Sequence, residues 1–269
     1  MWKWETENEA KGAVVIVHDL LEHHEYYDAL TVKLRRDGYH VIIGDLPGHG
    51  QTTRVNKGHI NNFDQYTERI AEWHNLALDY ELPTFVIGQG LGGLIAIEAT
   101  RQGRIQSDGL ILLNPLLSFK QSFMNRKNTI LTSVRMTSDE TRFNPGIKLS
   151  YFTEDKNFLN RYKKDELIVD KVSYQWYKTV INQMKETSET MEEVGDVPIL
   201  CIMTDDNQII NPYLSAKYMK RNLSADFRFI MMESNEHSIF QREDIEYPYY
   251  LLDQFINTQL FSIGLIPKN

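Results

Sequence analysis

One cysteine, Cys201, stands in 269 residues, so no disulfide can form within the chain. Set in the apolar run Ile199-Leu200-Cys201-Ile202, it reads as a buried strand residue of a protein kept in a reducing compartment. Long apolar runs are also missing: none approaches the ~20 residues that span a bilayer, and Met1-Trp2-Lys3-Trp4-Glu5 lacks the apolar stretch of a signal peptide. These absences predict no transmembrane segment and a cytoplasmic protein. Positive charge is in deficit, with a formal net charge of -8, and no basic cluster interleaved with aromatics offsets it. Nucleic acid is therefore excluded as a main partner, because its phosphates would be repelled. Repeats and low-complexity stretches are absent as well.

What is present is an alternation of apolar runs with helical patterns. Ala13 to Val17 is continuously apolar, as expected of a strand buried on both faces of a parallel sheet. Helix 26–37, strand 39–43, helix 63–80, strand 85–87, helix 91–102 and strand 109–113 follow. Between Pro115 and about Val194 the pattern gives way to polar and aromatic helical stretches without strand-like runs. The alternation resumes with strand 199–203, helix 212–222, strand 227–232 and helix 247–260. The spacing predicts a mostly parallel, doubly wound α/β sheet, with residues 1–115 and 195–269 as core and residues 116–194 as an inserted helical cap. Such an insertion lies over the C-terminal ends of the strands, where open α/β sheets bind ligands.

Chemistry concentrates at Gly88-Gln89-Gly90-Leu91-Gly92-Gly93, between a strand and a helix. Read as GxGxxG, Gly88, Gly90 and Gly93 would seat a pyrophosphate on a helix N-terminus. That reading wants a carboxylate about 20 residues on, at the end of the next strand, where the chain has Leu113-Asn114-Pro115. Read as GxSxG, the same turn is a nucleophile elbow whose serine position is occupied by Gly90. No cofactor is expected. Nor is a metal: His23-His24-Glu25 are neighbours that point in different directions on a helix, and no matching distant ligand stands out.

The elbow reading gains from other segments. Gly44-Asp45-Leu46-Pro47-Gly48-His49-Gly50, Gly58-His59-Ile60, Gly92-Gly93-Leu94 with Ala96-Ile97-Glu98, Val172 to Tyr177, Val197-Pro198-Ile199-Leu200, and His237 with Glu243 together resemble the bacterial monoacylglycerol lipase and lysophospholipase-like α/β-hydrolases of the serine aminopeptidase S33 type. The resemblance covers nearly the whole chain. It implies an α/β-hydrolase fold, ester hydrolysis by a serine nucleophile with a histidine base and an orienting aspartate, and a lipid-shaped pocket beneath the cap.

The chain departs from that pattern where the chemistry would occur. The resemblance implies Gly-His-Ser-Met-Gly-Gly at the elbow, whereas Gln89, Gly90 and Leu91 stand in the middle. The acid position, nine residues after the proline that opens its strand, falls on Asn207, with Asp206 able to serve after a one-residue shift. His237 takes the base position, either as a base or as a loop histidine kept for hydrogen bonding. For the oxyanion hole the resemblance implies backbone N–H groups of Leu20 and Leu91. Beside them His18-Asp19 replaces His-Gly, and Asp19 is either a carboxylate facing the hole or a solvated loop residue. Glycine at position 90 also relieves the strain that an elbow imposes on a residue with a Cβ.

Three such departures predict a degenerate hydrolase that binds an acyl-chain or similar amphipathic ligand under the cap, with Asp19, Gln89 and Trp176 in contact with it. Phe123, Met124, Phe152, Phe158, Tyr177 and Met184 are further candidates for the pocket wall. The alternatives are an active ester hydrolase in which His237 and Asp206 activate water, with Ser238 as a poorly placed nucleophile, and the dinucleotide-binding reading.

Overall fold

The computed structural model describes residues 1–52, 56–120 and 138–265. The central sheet has seven strands: β1 (Trp2–Trp4), β2 (Gly12–Val17), β3 (Tyr39–Ile43), β4 (Thr84–Gln89), β5 (Gly109–Leu113), β8 (Ile199–Thr204) and β9 (Phe227–Met232). Their order is β1-β3-β2-β4-β5-β8-β9, with β1 antiparallel to β3 and every other pair parallel. The apolar runs of β2, β4, β5 and β8 are buried throughout, as a parallel sheet covered by helices on both faces requires. Helices α1 (Asp28–Arg36), α2 (Asp64–Leu78), α3 (Leu91–Arg101), α6 (Pro212–Met219) and α7 (Glu246–Ser262) supply the cover.

Edge strand β1 escapes a sequence reading because it has three residues and only its Trp-Lys-Trp alternation to mark it. The segment between β5 and β8 holds helices α4 (Lys156–Lys164) and α5 (Tyr174–Glu189). It also holds a two-stranded ladder of β6 (Arg142–Phe143) and β7 (Val172–Ser173), where only helical stretches were expected. Two residues per strand are too few to carry a period-two pattern. Capping marks both helices: the Asp155 side chain accepts from the N–H groups of Asn157 and Phe158, and Ser173 Oγ accepts from Trp176 N–H.

Several polar contacts fasten this segment to the core. Val169 N–H donates to the Leu21 carbonyl, Ser173 N–H to that of Gly58, and the N–H groups of His237 and Ser238 to those of Tyr151 and Phe152. At the other end Glu98 on α3 is fully buried. It accepts from Arg101 Nε and Nη2 at 2.8 Å each, from Gln102 Nε2 at 2.7 Å and from Thr187 Oγ1 of α5 at 3.0 Å.

Glycine serves close approach at the elbow. A Cβ on Gly92 would lie 2.1 Å from the Val17 carbonyl oxygen, and one on Gly88 would lie 2.6 Å from that of Gly92. Both residues let α3 start directly against the ends of β2 and β4. Gly90, at φ 51° and ψ -112°, makes the turn between strand and helix, a conformation that a residue with a Cβ enters only with strain.

Candidate active site

All parallel strands end on one side of the sheet, and the loops leaving β2, β4, β5, β8 and β9 bring the candidate residues together there. The loop after β2 turns sharply at Leu21, whose φ is +67°. Residues 17–24 of this loop are all buried. His18 fixes its course. His18 Nδ1 lies 2.7 Å from the Asp19 carbonyl oxygen, and Leu46 N–H donates to His18 Nε2 at 2.9 Å. Nδ1 therefore carries the proton of a neutral ring. Burial first, and His49 second, push the His18 imidazole down to about 3.

Asp19 is fully buried, which excludes the solvated-loop alternative. Its Oδ1 accepts from Leu20 N–H at 2.6 Å and from Leu91 N–H at 2.7 Å, the two backbone donors expected to line the oxyanion hole. Helix α3 has no side-chain cap of its own. The Asp19 carboxylate takes that place from another loop and puts negative charge at the positive end of the helix. A Cβ on residue 90 would lie 1.9 Å from the same Oδ1. One oxygen atom thus occupies both N–H donors and the space that a side chain at position 90 would use.

The other oxygen, Oδ2, lies 2.9 Å from Nε2 of His237, and both side chains are completely buried. Neither atom has an aligned hydrogen-bond partner among the described residues. On the far side of the ring, Nδ1 lies 3.2 Å from Asn207 Oδ1. The orientation of the Asn207 amide is determined by its surroundings: Oδ1 accepts from the N–H groups of Ile209 and Ile210 at 2.9 and 3.0 Å, and Nδ2 donates to Thr204 Oγ1 at 2.9 Å. An acceptor at Asn207 requires a proton on Nδ1 of His237.

Asp206 does not join this group. Its side chain is largely exposed and pairs with Lys120 at 3.4 Å, because the turn after β8 sends residues 206 and 207 to opposite sides. Gln89 does not face a ligand either. Its Nε2 donates to the His237 carbonyl at 2.8 Å, as does Asn114 Nδ2, so it holds the backbone of His237. Trp176 is buried and donates through Nε1 to the Tyr66 hydroxyl on α2 at 2.7 Å. Phe152 packs edge-on against the His237 ring. Phe158, Tyr177 and Met184 are half-buried against the core, while Phe123 and Met124 lie outside the described residues. Ser238 Oγ is buried and sits 3.4 Å from Glu22 Oε1.

Glu22 was not expected at this site. Asp19 N–H donates to the Tyr27 hydroxyl, which donates in turn to Glu22 Oε2, each at 3.1 Å. Gln241 Nε2 donates to Glu22 Oε1 at 2.7 Å, and the Tyr162 hydroxyl of α4 donates to the same oxygen. Burial, and then the charge of Asp19, raise the Glu22 carboxyl to about 8. The signal available in the sequence was the density of titratable residues, His18, Asp19, Glu22, His23 and His24, immediately after a buried strand.

The histidine pair acquires a distant neighbour that the sequence did not single out. His24 Nδ1 and Asp45 Oδ1 are 2.8 Å apart, and His23 Nε2 and Asp165 Oδ2 are 2.7 Å apart. Ligand atoms of His23, His24 and Asp45 lie within 4.8 Å of one another.

A family comparison decides what these loops belong to. Residues 8–244 match the serine aminopeptidase S33 hydrolases. This chain belongs to that family. Among its S33 relatives is the phospholipase YtpA of Bacillus subtilis strain 168, to which it is 29% identical over 249 residues, covering 91% of this chain and 95% of that protein. Similarity to the monoglyceride lipase of Saccharomyces cerevisiae is 23% over 257 residues, covering 88% and 80% of the two chains. The fold matches that of Paleococcus ferrophilus monoacylglycerol lipase with a TM-score of 0.81 at 20% identity, covering 96% of this chain and 98% of that one. A soluble variant of the S. cerevisiae monoglyceride lipase in complex with a substrate analog gives 0.85 at 20% identity, with 96% and 90% covered.

The protein is an α/β-hydrolase of the S33 family that resembles the monoacylglycerol lipases and lysophospholipases. Gly88 and Gly93 serve close packing, Gly93 against Pro115, and the anion at the N-terminus of α3 is the chain's own Asp19. Among the described residues no helix is long and apolar enough to cross a membrane.

Proposed function

We propose that this S33 hydrolase has lost serine-type ester hydrolysis and retains its site for binding an acyl-chain or similar amphipathic ligand beneath residues 116–194, which act as the cap, in the cytoplasm. The observation that carries the reading is the position of Asp19 Oδ1, on both Leu20 and Leu91 N–H and within 1.9 Å of where a Cβ of residue 90 would stand. An ester carbonyl finds no nucleophile at Gly90 and no free donors to stabilise its developing charge. Loss of a triad serine alone costs on the order of a million-fold in turnover, and the residual rate rests on the hole that Asp19 fills. The lipid preference is supported by relatives named as a phospholipase and monoglyceride lipases.

The test pairs binding with turnover. A non-hydrolysable ether analogue of monoacylglycerol is titrated by calorimetry, and hydrolysis of monoacylglycerol, lysophosphatidylcholine and a short aryl ester is measured in parallel. Saturable binding of the ether lipid with ester hydrolysis at the buffer rate is expected. Hydrolysis that disappears in His237→Ala would overturn the reading and make the protein an active esterase.

A further inference from the structure

The hydrogen bonds around His23 select its tautomer. Asp165 Oδ2 lies 2.7 Å from His23 Nε2 and accepts from the Tyr26 hydroxyl at 2.9 Å, while Asp165 Oδ1 accepts from Leu167 N–H at 2.8 Å. A carboxylate that accepts on both oxygens leaves a proton on His23 Nε2, so Nδ1 of the neutral ring carries a lone pair. That Nδ1 is buried and has no hydrogen-bond partner among the described residues, an unfavourable state for a polar atom unless something coordinates it. Two further donors stand beside it. One ligand atom each from His23, His24 and Asp45 lie within 4.8 Å of one another; His23 and Asp45 are buried and His24 is 8% exposed. Successive helical residues diverge, but His23 has an extended backbone, φ -153° and ψ 175°, just before the short 3-10 helix His24–Tyr27, so the pair escapes that divergence. Asp45 accepts from the N–H groups of His24 and Gln51, and its Oδ1 lies 2.8 Å from His24 Nδ1. The proton that joins those two atoms is one a cation can replace.

We propose that His23 Nδ1, His24 and Asp45 form a binding site for one divalent ion of the zinc class, with Asp165 as the positioning carboxylate that orients His23. Two imidazoles and a carboxylate suit zinc, nickel or copper(II) ions, whereas magnesium and calcium take oxygen donors. Bond lengths of about 2.0–2.2 Å set the donors around a tetrahedral ion about 3.3–3.6 Å apart, so the three groups close by roughly 1 Å to bind it. The ion displaces the proton between His24 Nδ1 and Asp45 Oδ1, which leaves to solvent. The contact from Asp165 to Nε2 is the carboxylate–histidine arrangement that fixes the ligating tautomer and strengthens the ring as a donor. Entry is on the side where His24 reaches the surface. There the partly buried Trp2 stacks on the His24 ring with centroids 3.5 Å apart, and the edge strand that carries Trp2 is only three residues long, so its displacement opens the way in. Once bound, the ion ties the loop after β2, which also carries Asp19, to the loop after β3, and through Asp165 to the segment between β5 and β8.

The experiment strips the full chain with a chelator and titrates it with zinc chloride by calorimetry, with the melting temperature read in parallel. One zinc per chain is expected, bound in preference to magnesium and calcium, and the melting temperature should rise by about 5 °C at a hundred-fold excess over Kd. His23→Gln and Asp45→Asn, close in size to the residues they replace, should each remove the one-to-one heat, with circular dichroism confirming that they are folded. Asp165→Asn should weaken binding by about 10–100-fold, while His40→Gln, a histidine outside the cluster, should bind as the unaltered chain does. Copper(II) held at this site lies beside Trp2 and should quench it, so Trp2→Phe should lose part of the quenching; this measurement leaves the ligands untouched. No saturable zinc binding by the stripped chain, one-to-one binding that survives both His23→Gln and Asp45→Asn, or copper quenching identical in Trp2→Phe overturns the proposal.

Discussion

Restoring a serine at the elbow should fail on its own. In Gly90→Ser the new Cβ stands 1.9 Å from Asp19 Oδ1, less than any non-bonded contact allows, and Gly88, Gly92 and Gly93 leave the turn no room to withdraw. Asp19 must therefore leave the hole. It then loses two hydrogen bonds from N–H groups to a charged acceptor, each worth about 1.5–3 kcal/mol. A non-glycine residue at φ 51° and ψ -112° adds about 1–3 kcal/mol of backbone strain. The sum, about 4–9 kcal/mol, is a large part of the 5–15 kcal/mol that holds a typical domain together. At about 2 °C or more per kcal/mol for a chain of this size, the melting temperature should fall by about 10 °C or more. Asp19→Gly together with Gly90→Ser removes the clash, so a double-mutant cycle should give a favourable coupling of at least about 2 kcal/mol. The double variant also removes the displaced carboxylate from the neighbourhood of both N–H groups, and it should hydrolyse a short aryl ester at least as fast as Gly90→Ser. The assays are differential scanning calorimetry and ester turnover on the three variants. A Gly90→Ser protein that melts with the unaltered chain, with no coupling to Asp19→Gly in the cycle, would refute the placement of Asp19 on the Leu20 and Leu91 N–H groups.

Three further outcomes follow from the same geometry. Arg101→Ala leaves the buried Glu98 without its two-pronged partner and should cost about 3–5 kcal/mol in a denaturant titration, with Glu98→Gln relieving much of the loss in the double variant. Glu22, raised from 4.5 to about 8 by burial and by Asp19, keeps a proton that the unfolded chain gives up. Its contribution to stability is thus fully present below about pH 4.5 and is lost as pH rises through about 8. Glu22→Gln should flatten this decline in melting curves taken from pH 5 to 9, and an unchanged slope would contradict the assignment. Asn207→Ala removes the acceptor for the Nδ1 proton of His237 and for the N–H groups of Ile209 and Ile210, and should cost about 1–3 kcal/mol by calorimetry.

The sequence went furthest where a single local rule applies. Continuous apolar runs place β2, β4, β5 and β8, because a strand covered on both faces has no polar side to interrupt it. The glycines at 88, 92 and 93 mark the elbow because a Cβ at any of them would stand within 3 Å of a neighbouring atom. Glycine at the elbow position is legible at Gly90, and the family resemblance, through its spacing, brought Asn207 and His237 forward as partners. Short elements without a period, β1, β6 and β7, were not legible.

What sequence could not decide was direction. Asp19 as a plug or a surface residue, Asp206 or Asn207 beside the ring, and Gln89 toward a ligand or toward a carbonyl each depend on where a side chain points after a turn. For Asp19 and His237 that is set by residues far away in the chain, Leu91 for the one and Asn114 and Gln89 for the other, and for Asn207 by the local turn to Ile209 and Ile210. The amino-acid sequence by itself determined the family architecture and the loss of the serine, because both are written in local pattern. Only the tertiary structure decided that a carboxylate fills the space left behind, because two backbone N–H groups from separate loops must converge on one oxygen for it to stay there.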